Sequence, residues 1–123
     1  MQFDNNAQAI YLQIADYVCE KILLKEWPPD AKIPSVRDLA MQLEVNPNTV
    51  ARSYDFLKQQ DIIQDKRGIG YFITTEGLKT ATAYRKQEFM EKELPSFFRN
   101  MYLLGIEPED LKQKYEKFKK QYA

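Results

Sequence analysis

Apolar side chains at Ile10, Ile14, Val18 and Ile22, joined by Tyr11, return every three or four residues, the spacing that lines them along one stripe of a helix. The pattern predicts a helix from about Ala7 to Lys25 with that stripe against a core. Pro28-Pro29 stops it, because proline offers no amide and pushes the residue before it out of helical geometry. Trp27 to Pro34 then reads as a stiff connector. Ser35 is placed to cap a second helix, with Asp38 three residues on able to return the hydrogen bond and Val36, Leu39, Ala40 and Leu43 as its buried face. Glu44-Val45-Asn46 is a tight connection to a third helix, capped by Asn46 and opened by Pro47. On that helix Val50, Tyr54 and Leu57 share one side, and Asn48, Thr49 and Arg52 another.

The period then changes. Ile62 to Lys66 and Gly70 to Thr74 are β-rich, and Arg67-Gly68-Ile69 between them supplies the permissive backbone of a hairpin with a basic tip. Thr75 is a candidate cap for the remainder of the chain, which is helical throughout. Met90, Leu94, Phe97, Met101 and Leu104 keep one phase straight through Pro95, predicting a long helix kinked where the proline removes a backbone bond and crowds Glu91. Gly105 ends it, and Pro108 opens a last helix with Glu109 and Asp110 in its first turn and a stripe of Leu111, Tyr115, Phe118 and Tyr122. The expected fold is mainly α with a small β-hairpin, divided into residues 1–75 and a helical segment over 76–123.

Composition narrows the chemistry. The 123 residues include no histidine and a single cysteine, Cys19, so no internal disulfide can close and the usual zinc sites lack their ligands. No metal or cofactor is expected. Ser35, Ser53 and the carboxylates offer nucleophiles or acids in principle, but without histidine, a glycine-rich phosphate loop or metal-ligand spacing the chain is not expected to be an enzyme. Met1-Gln2-Phe3-Asp4 does not start a secretory signal, and no apolar run approaches the roughly 20 residues of a membrane span, so a cytoplasmic protein without membrane contact is expected. Eighteen basic side chains balance eighteen acidic ones, and residues 1–75 alone carry eight against ten. Any nucleic-acid contact must therefore come from local gathering of charge, and Arg37, Arg52, Lys66 and Arg67 fall where such gathering would be useful.

Three helices, the last two joined by a short turn, with a two-stranded wing after them, define a winged helix-turn-helix. Such a unit suits double-stranded DNA, its third helix entering the major groove while the hairpin reaches an adjacent groove or phosphate. Three segments, Ile33-Pro34-Ser35-Val36-Arg37-Asp38-Leu39-Ala40, Val45-Asn46-Pro47-Asn48-Thr49-Val50-Ala51-Arg52 and Arg67-Gly68-Ile69-Gly70-Tyr71-Phe72-Ile73, resemble the DNA-binding domain of GntR-family transcription regulators. The family has glycines where Glu26 and Asp30 stand. The resemblance implies that Arg37 meets DNA from the second helix, that Asn46, Asn48, Thr49 and Arg52 do so from the third, and that Gly68 with Arg67 forms the wing tip. Each residue also has a plainer reading. Arg37 can lie in solvent, Asn46 can serve only as a cap, Thr49 can be a first-turn residue, and Lys66-Arg67 can be edge-strand charges that discourage pairing.

The tail after the hairpin is too short for a typical ligand-binding domain, yet it is rich in apolar side chains. Met90, Leu94, Phe97, Phe98, Met101 and Leu104, with Leu111, Tyr115 and Phe118 from the last helix, exceed what two helices can bury alone. They are expected to form the interface of a homodimer, or otherwise a core against the first helix. Lys112, Lys114, Lys117, Lys119 and Lys120 read as a solvated face. In length and helical pattern the tail is similar to that of the YtrA subfamily, which implies a cytoplasmic bacterial repressor, often of transporter genes. A homodimer would bind an inverted repeat with half-sites about one helical turn apart, and a small-molecule effector of unknown identity would sit in a groove at the dimer interface or between the two regions. The alternative is a winged-helix module that binds protein without DNA.

Overall fold

A computed structural model of the chain describes residues 8–122. Ala7, the expected start of the first helix, lies outside the described residues, and α1 runs Ile10–Leu23. After it come α2 (Val36–Leu43), α3 (Pro47–Gln59), β1 (Ile63–Lys66), β2 (Gly70–Ile73), α4 (Gly77–Glu88), a π-helical turn (Phe89–Glu93), α5 (Leu94–Leu104) and α6 (Pro108–Lys119). The chain divides into two compact units between Lys86 and Gln87.

The first unit keeps the order read from the sequence, and α2 and α3 start at the expected caps, although Asp38 does not return the hydrogen bond to Ser35. Ser35 Oγ accepts the Asp38 amide at 3.1 Å to start α2, and Asn46 Oδ1 accepts the Asn48 amide at 2.8 Å to start α3. Glu44 turns the chain between them in the left-handed region, φ 56°. Ile14, Val18, Ile22, Leu39, Val50, Tyr54, Leu57 and Ile73 close into one buried core. Trp27 to Pro34 proves to be more than a connector. Lys32 bridges antiparallel to Phe72, the Asp30 and Ile33 amides donate to the Ile73 and Tyr71 carbonyls, and the Ile73 amide donates to the Ala31 carbonyl. The connector thus covers the outer edge of β2, an edge that would otherwise expose unpaired amides. Asp30 enters this edge at φ 67°, so the glycine of the family pattern answers a left-handed backbone that aspartate also tolerates. Near the other family glycine position the left-handed residue is Lys25, φ 63°, rather than Glu26.

Thr75 does not cap α4. Its hydroxyl donates to the Asp30 carboxylate at 2.8 Å, and α4 starts at Gly77. The first unit also extends beyond Thr75, because α4 returns to the core. Ala81 is fully buried, Leu78 and Tyr84 pack beside it, and Arg85 pairs with Asp16 of α1 at 3.2 Å. Gly77 sits where α4 crosses the hairpin. A Cβ there would collide with Ile73 Cγ2 and come within 3.1 Å of the Ile62 carbonyl oxygen. Gly77→Ala is therefore expected to destabilise this unit by about 1–3 kcal/mol through overpacking, read as a lower urea midpoint at unchanged slope.

In the second unit the helical phase passes Pro95 as anticipated, but a widened turn takes the place of a simple kink. The Leu94 amide donates to the Phe89 carbonyl, five residues back. Spacing of this kind relieves the clash that Pro95 would make with the carbonyl of Glu91 in a regular helix. Gly105 closes α5 at φ 67°, and the Asp110 carboxylate accepts the Glu107 amide at 2.9 Å to start α6. No helix among the described residues is long and apolar enough to cross a membrane.

Candidate nucleic-acid interface

The buried side of α3 fixes its outer side. Tyr54 is fully buried, its hydroxyl donates to the Pro34 carbonyl at 2.7 Å just ahead of the Ser35 cap, and its ring meets Tyr71 of β2 edge-on at 4.8 Å. One side chain thereby ties α3 to the start of α2 and to the wing. Burial raises the Tyr54 phenol above its ordinary range, so it remains a neutral donor. Ser53, also fully buried, shares its hydroxyl proton between the Tyr11 carbonyl at 2.7 Å and the Thr49 carbonyl at 3.0 Å.

With the buried side locked, Asn46, Asn48 and Arg52 are exposed and Thr49 is half-buried. Asn48, Thr49 and Arg52 share an open cleft of about 300 Å³ with Ala9, Ile10 and Tyr11 from the start of α1. Asn46 caps α3 through Oδ1. Arg37 is exposed on α2. At the hairpin tip the Ile69 amide donates to the Lys66 carbonyl at 2.8 Å, and Gly68 takes the φ of 79° that a turn of this kind requires at its third position. Arg67 and Gly68 are both exposed there.

Partnering separates the cations. Lys21, Lys58 and Arg85 of this unit are ion-paired with Glu26, Asp55 and Asp16. Arg37, Arg52, Lys66 and Arg67 form no ion pair among the described residues. A domain of unfavourable total charge can thus still offer positive groups that no carboxylate neutralises.

Two further side chains lie against the candidate positions, and neither stood out as a candidate in the sequence. Lys32 lies against the wing, its side chain 3.0 Å from where a Cβ on Gly70 would be, and Tyr11 lies under Arg52 instead of only filling the core stripe. Nothing local marks Lys32. Tyr11 carried a signal in being the one polar-tipped ring of an otherwise aliphatic stripe.

The candidate nucleophiles are spent or masked. Ser53 is committed to two carbonyls, Ser35 to its cap, and burial pushes the Cys19 thiol from about 9 up to about 12, so it stays protonated and inert.

The short turn between α2 and α3, the capped outward helix and the paired wing make this unit a winged helix-turn-helix. Residues 10–73 match the family of bacterial regulatory proteins called gntR, and the chain belongs to that GntR family. It is 36% identical over 111 residues to the HTH-type transcriptional regulator YhcF of Bacillus subtilis, covering 88% of this chain and 90% of the relative. It is 35% identical over 102 residues to the HTH-type transcriptional repressor YtrA of the same organism, covering 83% of this chain and 78% of YtrA. A solved structure of a GntR-family transcriptional regulator from Bacteroides thetaiotaomicron matches 94% of this chain and all of its own, with 42% identity and a TM-score of 0.73. These spans exceed the winged unit, so the likeness to YtrA-type regulators includes part of the tail. The protein is a transcriptional regulator of this family and not an enzyme.

The tail residues are mostly uncovered. Tyr102 is 86% exposed, Leu104 72%, Phe98 54% and Phe97 49%, while Met90, Tyr115 and Phe118 are exposed to similar degrees and Leu94 and Leu111 are half-buried. Met101 is the exception at 8% and is buried within its own chain. A groove of about 620 Å³ opens between Phe89 and Phe97 on one side and Leu111, Lys114, Tyr115 and Phe118 on the other.

Proposed function

We propose that the protein is a cytoplasmic, homodimeric repressor that binds an inverted-repeat operator through Arg37, Asn46, Asn48, Thr49, Arg52, Arg67 and Gly68, with the part of the 76–123 segment that follows Lys86 as its dimerisation segment. The observation that carries this reading is the uncovered apolar surface of α5, in a chain whose winged unit has outward cations that form no ion pair among the described residues. Seven of the eleven residues of α5 are large hydrophobic side chains, and all but Leu103 lie on one side of the helix. A helix with such a stripe is stable in water when other helices cover that side. A second copy supplies such helices, and two winged units then meet one duplex.

The named repressor activity of YtrA supports repression here, and transporter genes are the targets to examine first. A small-molecule effector would find size and apolar lining in the groove beside Phe97 and Phe118.

Gel-shift on DNA from upstream of its own operon tests the reading. Arg52→Ala is expected to weaken specific binding by roughly 5- to 150-fold, the value of one bidentate base contact, and to relax sequence preference. Arg37→Ala is expected to weaken all duplexes alike and flatten the salt dependence, as loss of a phosphate contact does. A protein that retains no DNA even at low ionic strength but forms a salt-insensitive protein complex would establish the protein-binding alternative instead.

A further inference from the structure

Arg52 is held on the outer side of α3 by an aromatic ring. Its guanidinium carbon lies 3.9 Å from the centroid of Tyr11, contributed by the first turn of α1. That is the separation of a cation stacked on a ring face. Stacking occupies the flat face of the guanidinium and leaves its in-plane N–H donors open, whereas a carboxylate would occupy those donors. Arg85 of the same unit shows the contrast, its donors taken by Asp16.

Tyr11 is itself fixed from two directions. Its ring meets Phe56 edge-on at 6.4 Å, and its carbonyl accepts the hydroxyl of Ser53 at 2.7 Å. Ser53 adjoins Arg52 in the chain, so the platform and the side chain resting on it are registered to the same turn of α3. Phe56 in turn packs against Tyr84 at 5.3 Å. A free arginine must give up many rotamers on meeting a base, and one already laid on a ring gives up fewer.

We propose that Tyr11 is a positioning residue for DNA recognition, its ring holding the Arg52 guanidinium in the orientation from which it reads a base edge. The first helix thereby takes part in sequence choice through Arg52. This rests on the assignment of Arg52 to a base edge, and the experiment separates the two.

The probe is a duplex selected from a random-sequence pool by the wild-type protein, compared with an unrelated duplex of equal length. Tyr11→Leu is expected to bind the selected duplex roughly three- to tenfold more weakly, with unchanged binding to the unrelated duplex and an unchanged salt slope. Tyr11→Phe keeps the ring face and is expected to restore wild-type affinity. In an Arg52→Ala background Tyr11→Leu should have no further effect. A readout on the free protein accompanies these: the side-chain methylene protons of Arg52 should be shifted upfield by the ring in the wild type and Tyr11→Phe, and should return to ordinary positions in Tyr11→Leu. Wild-type or tighter affinity for Tyr11→Leu overturns the proposal, as do an equal loss in the Arg52→Ala background or the absence of the upfield shift. An Arg52→Ala protein that binds the selected duplex like wild type overturns the assignment beneath it, and the proposal with it.

Discussion

Tyr54→Ala is expected to lower the unfolding free energy of the winged unit by about 3–5 kcal/mol, the range for removing a large aromatic side chain from a core. The site gives the substitution nowhere to relax. Tyr54 is fully buried, its ring packs edge-on against Tyr71, and its hydroxyl serves the Pro34 carbonyl. Truncation leaves a cavity and a buried acceptor without its donor. Tyr54→Phe isolates the second effect and should cost about 1–2 kcal/mol. Urea denaturation monitored by circular dichroism measures both, and a Tyr54→Ala protein within about 1 kcal/mol of wild type would show that the core does not depend on this residue. The consequence for function is geometric. Because Tyr54 links α3 to the residue before the Ser35 cap and to β2, Tyr54→Phe should impair operator binding more than its modest instability would suggest. Raising the pH is not expected to break the bond until well above the ordinary phenol range. The raised value means that the neutral donor is favoured in the folded state, so its stabilisation is complete below the unfolded value, declines as alkaline pH rises past that value and is gone once pH passes the folded one.

The second large effect concerns assembly. Phe98→Glu combined with Leu104→Glu is expected to convert the protein from dimer to monomer at micromolar concentration and to weaken operator binding by a factor of roughly 10² or more. Both side chains are mainly exposed within one chain, so the substitutions should leave the fold of the protomer intact. In the dimer they would place carboxylates where apolar side chains should meet, at a cost of several kcal/mol for each charge left without a partner. Affinity falls further because two linked winged units bind one duplex far more tightly than either does alone. Sedimentation equilibrium and gel-shift measure the two halves of the effect. A wild-type protein that sediments as a monomer, or a doubly substituted one that remains a dimer, would remove this surface from the assembly. Met101 provides a contrast within the same stripe. Being buried inside its own chain, it should influence protomer stability when truncated, with little direct effect on the interface.

Composition alone gives little sign of a DNA-binding surface. The first 75 residues hold more acidic than basic groups, which argues against indiscriminate attraction to DNA. Pairing changes the balance that matters locally. Asp16, Glu26 and Asp55 are paired with Arg85, Lys21 and Lys58, whereas Arg37, Arg52, Lys66 and Arg67 form no ion pair among the described residues.

The order of elements was legible in the amino-acid sequence because its signals are local. A proline or capping side chain at Ser35, Asn46, Pro47 and Pro108, a left-handed glycine at Gly68 and Gly105, and apolar spacing at Ile14, Val18 and Ile22 each act within a turn or two of the chain. These marks also carried the three segments that resemble GntR regulators. Packing between distant segments had different causes. The edge that residues 30–33 add to β2, the return of α4 to the core through Ala81 and Arg85, the burial of Met101 and the stacking of Arg52 on Tyr11 join residues far apart in the chain or depend on how closely helices approach. A periodic stripe fixes which side of a helix is apolar, whereas the neighbour that side meets is chosen by the competition of all faces for burial, and that is settled when the chain folds as a whole.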